Sequence, residues 1–410
     1  MNSILKNITR LAFGYLECPF YKDIRFWLLF VVINCGANLG FNHYFEQQTV
    51  KVALFIVCCH LLNKKYWSSL GSSQILYIFG LSFILIIQSV YLIAYSATTS
   101  IHYFLMISIA VMTVAICGNS FVRYFSSIIF LYACISLVCF TLQNIGYSIP
   151  YIAITDTKLD GGIIMRVYNI YYTQLGNPGE GLGYNARNCG PFWEPGAFQG
   201  FLNLSLFFEL TMNQIRDKFW KIRIIIYVIA IVTTLSTGGY IVMFVILLYY
   251  FSMDKGISVA KKILMFCVSL GIFVYLYNTL DFLGSKVTTD ESRLSFSFTD
   301  FPNVMYMLFG YGYSPESFRS SSMSSASSVF NLLRYIGVTG FLIYMIALLR
   351  NKSNTKLVYF VIITLILTNE PFLSNAMIWW GVAFVSYKLY QTNISNENLS
   401  NTYPPRRTCS

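Results

Sequence analysis

The sequence predicts an all-α, polytopic integral membrane protein with about twelve spans. Three observations carry this. Only 11% of the 410 residues are charged, where a soluble domain has about 25%. Apolar residues make up 56% and the mean hydropathy is +0.58. The apolar residues fall in long runs, and Lys and Arg sit in short groups between them. A soluble enzyme or a disordered chain needs more charge than this. The net charge of +11 would suit a polyanion, but the basic residues form no stripe. The expected surroundings are a lipid bilayer, with no nucleic-acid partner.

Taken in chain order, the candidate spans lie near 26–45, 49–62, 74–95, 101–118, 124–149, 197–213, 221–236, 239–252, 262–281, 329–349, 356–371 and 375–390. Thr237-Gly238-Gly239 could reverse the seventh into the eighth as one hairpin. The charges set the orientation. With the N-terminus inside, 20 of the 28 Lys and Arg fall at inner turns or tails, among them Arg123, Lys221 and Arg223. Eight fall outside: Lys51, Lys158, Arg166, Arg187, Lys286, Arg293, Arg319 and Arg334. Twelve spans with both termini cytoplasmic satisfy the positive-inside rule at every short turn. Residues 1–390 then form one membrane domain, and 391–410 a disordered cytoplasmic tail. The start of the chain does not read as a cleavable signal peptide. Most of the ten cysteines lie in apolar runs as small hydrophobes. No Cys/His spacing suits a metal, and no cofactor is expected.

Two outer segments, about 150–196 and 282–328, are too long to be simple connectors, and long loops in compact proteins are usually functional. The first ends Arg187-Asn188-Cys189-Gly190-Pro191-Phe192-Trp193-Glu194-Pro195-Gly196 and enters a span. Pro and an acidic residue suit a helix start, and Trp193 suits an interface. Arg187, close to the membrane and among aromatics, would suit a phosphate bound bidentately. The second loop holds Asp290-Glu291-Ser292-Arg293, then Gly310-Tyr311-Gly312, then a serine-rich stretch. An Arg293 salt bridge to Asp290 or Glu291 is the plainer reading of that arginine, and the Gly-Tyr-Gly stretch reads as a turn. Arg334 sits about one turn inside an apolar span, where charge is costly. It either snorkels to the outer interface or serves function. Glu209 and Glu370 lie in or at the end of spans, where a carboxylate could carry a proton in a transporter. Arginines gathered outside, with no nucleotide loop inside, suggest a lipid-phosphate substrate at the outer leaflet.

At these residues the chain resembles the O-antigen polymerase (Wzy) and O-antigen ligase family of bacterial polysaccharide assembly. The stretch Arg187 to Leu204 is similar to that family's Arg-x-x-Gly-x-(Phe/Trp)-x-Glu-Pro-Gly segment. Leu235 to Tyr240 resembles its Ser-Thr-x-Gly-Tyr element, and Ser292 to Gly312 with Phe330 to Gly340 resembles its later arginine and glycine block.

The resemblance implies a GT-C-like membrane fold and a bacterial inner-membrane location. It implies a metal-independent glycosyltransferase whose donor is an undecaprenyl-diphosphate-linked oligosaccharide. Its acceptor is the non-reducing end of another lipid-linked repeat unit, and a chain-length regulator is an expected partner. By position, Arg187 and Arg293 match family arginines thought to hold the diphosphate. Glu194 is the expected general base. Arg166, Arg319, Arg334, Asn331 and Trp193 are the further candidates for binding substrate. The ligases carry a His before the Asn aligned with Asn331, and here that residue is Phe330. The alternatives are a ligase-type transferase and a non-enzymatic polysaccharide exporter or flippase, which should line its spans with polar residues.

Overall fold

A computed structural model of the chain describes residues 22–37, 47–66, 69–92, 97–147, 153–155, 165–167, 171–174, 187–212, 219–253, 301–312, 328–349 and 354–369, with single residues at 258, 260, 267, 271 and 382. The described residues are mostly helical. The helices are α1 (Ile24–Ala37), α2 (Gln47–Leu61), α3 (Ser72–Val90), α4 (Ala97–Cys117), α5 (Phe121–Asn144), α6 (Pro195–Phe207), α7 (Trp220–Thr233), α8 (Thr237–Met253), α9 (Val304–Phe309), α10 (Ser328–Leu349) and α11 (Asn354–Asn369). Among the described residues, three helical stretches are long and apolar enough to cross a membrane: Ser72–Val90, Thr99–Asn144 and Val329–Leu349. The second divides into α4 and α5 at the 3₁₀ turn Gly118–Ser120, where Gly118 has φ +54°. Candidate spans at 262–281 and 375–390, and the tail 391–410, lie outside the described residues apart from the single residues at 267, 271 and 382.

Side-chain placement suits an apolar solvent. On α3, Leu76, Phe79, Phe83, Ile86 and Val90 face outward at helical spacing, while Gln74 and Gln88 are fully buried. On α7, Ile222, Ile225, Ile229 and Val232 face outward, and Arg223 is fully buried. Polar inside and apolar outside inverts the pattern of a helix in water. At the start of α1, Asp23 accepts from the Arg25 backbone N–H at 2.9 Å and pairs with its guanidinium at 2.6 Å. Burial works to raise the Asp23 carboxyl. Hydrogen bonds from Arg25 and Tyr124 outweigh that and hold it below its ordinary value.

α6 is the central helix, and every residue from Pro195 to Phe207 is buried. It packs on α5, α7, α8 and α11. Gly196, Ala197 and Gly200 keep its surface small enough for close approach. Below it, the chain widens into the π-helical turn Phe208–Met212. There Glu209 pairs with Arg223 at 3.5 Å, both fully buried, and the Glu209 carbonyl accepts from Trp220 Nε1 at 3.1 Å. Arg223, counted among the basic residues of an inner turn, is thus buried against Glu209, and Glu209, a candidate proton carrier, has a guanidinium beside it. Lys51 is also buried, with Nζ 3.1 Å from His102 Nε2.

The first long loop contains a feature the pattern did not predict. Strands β1 (Ala153–Thr155), β2 (Met165–Val167), β3 (Tyr172–Gln174) and β4 (Arg187–Asn188) form an antiparallel sheet in that order. Two- and three-residue strands are too short to show an alternating pattern. The reversal between α7 and α8 also differs from expectation. It falls at Thr234–Ser236, with Leu235 at φ +49°, and the two glycines lie in the first turn of α8 instead.

Candidate functional site

β4 leads into a tight turn that clamps the chain onto α6. Gly190 N–H donates to Asn188 Oδ1 at 3.0 Å, and Gly190 has φ +55°. A Cβ there would lie 2.9 Å from the Phe198 ring, so only glycine fits. Phe192 is fully buried and stacks on Phe201 at 4.5 Å and on Phe198 at 5.6 Å. Cys189 is buried in this turn.

Glu194 is the N-cap of α6, with extended backbone (φ −156°, ψ 159°) and Pro195 at the first helical position. Its carbonyl accepts from Phe198 N–H at 3.2 Å. Its carboxylate does not cap the helix. Oε1 instead accepts from Trp193 Nε1 at 2.6 Å. The group therefore sits at a helix N-terminus, where negative charge is favoured, yet turns toward the indole.

Arg187 reaches the α7–α8 turn. Nε donates to the Thr234 carbonyl at 3.2 Å and Nη2 to the Leu235 carbonyl at 3.1 Å. Cations are favoured at helix C-termini, and these bonds satisfy carbonyls that α7 leaves over. Asn188 Nδ2 donates to Thr233 Oγ1 at 2.9 Å, Tyr240 OH to the Val232 carbonyl at 2.8 Å, and Asn203 Nδ2 to the Gly239 carbonyl at 3.1 Å. Residues 187–204 thus grip both sides of the 232–240 segment. That grip holds Leu235 in a left-handed conformation that costs a side-chain-bearing residue roughly 1–2 kcal/mol. Strain of this kind gathers at functional sites.

A second junction forms at α10. The helix breaks at Gly337, which has φ 64° and ψ −177°. Gly310, at the end of α9, has φ 81° and ψ 173°. The two glycines face each other: a Cβ on Gly310 would be 2.3 Å from the Tyr335 carbonyl oxygen, and one on Gly337 would be 2.4 Å from that of Leu308. Carbonyls freed by the break are taken up. Tyr311 N–H donates to Arg334 O at 2.7 Å and Gly312 N–H to Tyr335 O at 3.0 Å. Gln88 Nε2 donates to Phe309 O, and to Tyr335 O at 2.5 Å. A broken helix at membrane depth needs such substitutes for its lost bonds. The Gly-Tyr-Gly stretch is therefore a docking strand for the break.

Arg187 lies in β4, bound to the α7–α8 turn, and Trp193 and Glu194 bond each other at the start of α6. Asn331 and Arg334 come together on α10, both buried. Arg334 is 2% exposed, so its side chain is enclosed by the protein. The two groups are carried by different helices, and α11 packs against α6, α8 and α10. Arg166 lies in β2, paired with Ile154 and Thr173, in the row of Asn188, not of Arg187. Arg293, Arg319 and Glu370 lie outside the described residues. Sequence reasoning passed over Gln88, Gln199, Asn203 and the role of Tyr240. An amide in the middle of an apolar run was the available signal, since such a group must be paid for by hydrogen bonds. Neither the models of known protein families nor the curated proteins match this chain.

Proposed function

We infer that the protein is a polysaccharide repeat-unit polymerase of the inner membrane, acting on undecaprenyl-diphosphate-linked oligosaccharide at the periplasmic face, with both termini cytoplasmic. One observation supports this most. The segments that carry the resemblance, as far as they are described, make contact at two junctions: 187–204 on 232–240, and 310–312 on 334–337.

In this reading an acceptor sugar hydroxyl attacks the anomeric carbon of the donor glycan. Its proton passes to Glu194. The bond from the anomeric carbon to the diphosphate oxygen breaks, and undecaprenyl diphosphate leaves. Arg187, with Arg293, offsets the charge that develops on the leaving group. Trp193 orients the Glu194 carboxylate through its indole N–H. Arg334 and Asn331 on the broken helix bind the second lipid-linked chain, and a chain-length regulator is the expected protein partner.

The test uses the purified protein in detergent with a synthetic lipid-diphosphate-linked repeat unit, chelator and no ATP. A product ladder spaced by one repeat is expected. Absence of a ladder that appears only on adding lipid A core would identify a ligase. Absence under both conditions would favour an exporter. Arg187→Ala and Arg293→Ala are each expected to lower the rate by about 100-fold or more, as removal of one charge-stabilising donor does. Arg187→Lys should not rescue, because a single ammonium cannot hold two carbonyls and an anion in one plane. Glu194→Gln should abolish turnover while the protein stays in the membrane. A normal ladder from it would remove Glu194 as the base.

A further inference from the structure

Asn188 is fully buried at the end of β4, bonded to both α5 and α7. The orientation of its amide follows from a group that cannot change its role. The Gly190 N–H only donates, so the atom facing it at 3.0 Å is Oδ1. Nδ2 is then the atom that meets the two helices. It lies 3.2 Å from Ser136 Oγ on α5 and 2.9 Å from Thr233 Oγ1 on α7.

Each of those hydroxyls has a single proton, and each directs it elsewhere. Ser136 Oγ donates to the Ala133 carbonyl at 2.9 Å, and Thr233 Oγ1 to the Ala230 carbonyl at 2.8 Å. Toward Asn188 both oxygens can only accept, and the amide has two hydrogens to give them. This place therefore needs two donors and one acceptor on one short side chain. Asp has the same shape and no donor.

The residue before it grips the same helix end. Arg187 holds the Thr234 and Leu235 carbonyls at 3.2 and 3.1 Å, while Asn188 holds the Thr233 hydroxyl. Two successive residues of β4 thus bind three successive residues of the α7–α8 turn. Arg187 by itself leaves its own backbone undetermined, because a long flexible side chain can reach the same carbonyls from several backbone positions. Asn188 is short, and its bonds run to α5 as well as α7, so it fixes the strand from which the guanidinium hangs.

We propose that Asn188 is a positioning residue for Arg187: it ties the end of β4 to Ser136 and Thr233, and so holds the guanidinium in place for the diphosphate. The use of Arg187 on a diphosphate rests on the polymerase reading above; the bonds around Asn188 do not. Misplacing a reacting group by about 1 Å can cost about 100-fold in rate.

The experiment is a double-mutant cycle in the ladder assay, with rates taken per folded protein and well below each variant's melting temperature. Asn188→Asp keeps the acceptor for the Gly190 N–H and removes both donors. It is expected to lower kcat by about 10- to 100-fold with little change in KM, because it acts through a group that meets charge developed in the transition state. In an Arg187→Ala background the same substitution should cost no more than about 2-fold further, since no guanidinium remains to be positioned. Thr233→Val removes one of the two acceptors and should cost about 10-fold or less. Thr233→Ser keeps the hydroxyl and should recover most of that loss. If Asn188→Asp does not fold, the two Thr233 variants decide within the same cycle. Normal kcat per folded protein in Asn188→Asp, equal rates in the two Thr233 variants, or losses that multiply with that of Arg187→Ala would overturn the positioning role. A parent that forms no ladder fails the polymerase reading instead, and the cycle is then read from thermal protection by undecaprenyl phosphate, with the same non-additivity expected. A parent that is not protected either overturns both.

Discussion

Glu209→Gln is expected to lower stability by about 3–5 kcal/mol, the cost of breaking a buried ion pair from one side. Arg223→Met should cost less. The reason is an asymmetry in what remains. A stranded carboxyl can take up a proton and become neutral, whereas a guanidinium cannot lose one. Both side chains are fully buried and 3.5 Å apart. The double variant Glu209→Gln, Arg223→Met should recover most of the loss, because two neutral groups carry no charge to desolvate. Chemical or thermal unfolding in a fixed detergent measures all three. Additive losses in the double variant would show that the pair is not coupled. The π-helical turn at Phe208–Met212 is part of the same arrangement. One extra residue per turn shifts the side-chain register from that of an α-helix, and Trp220 takes up the Glu209 carbonyl. Activity at the opposite end of α6 should follow stability alone, without a separate catalytic loss.

Gly337→Ala and Gly310→Ala are each expected to abolish activity. Their backbones occupy a region open essentially to glycine only, which costs other residues roughly 1–3 kcal/mol. Contact adds more than strain does. An added methyl on either residue would meet backbone atoms at 2.3–2.5 Å, and backbone cannot rotate away. Residues 310–312 must then lift off α10. The Arg334 and Tyr335 carbonyls would lose the Tyr311 and Gly312 N–H groups, and Arg334 would move with its turn. Unlike the ion pair, the double alanine variant should be worse than either single one, since two methyls collide in the same gap. Gln88→Leu removes only the side-chain donor to this break and should be milder, about 1–3 kcal/mol. Full activity in Gly337→Ala would show that the break plays no part in function.

Much of this was present in the sequence. Low charge and long apolar runs determined a mostly helical protein with helices of membrane-spanning length, because burying a polar backbone in lipid leaves few alternatives to helix. The Pro195 start of α6 was equally legible from local chemistry. Tertiary structure alone decided which polar groups meet. Whether Arg223 faces water or Glu209, and whether Arg187 reaches an anion or the carbonyls of α7, depends on how separate helices pack against each other. The sheet in the first loop and the break at Gly337 belong to the same class. Short strands and single glycines carry almost no periodic signal, and their conformations are set by the backbone packed against them. Composition fixes the solvent a chain is suited to, because that is a sum over residues. A site is a set of directed contacts, and direction appears only once the helices are packed.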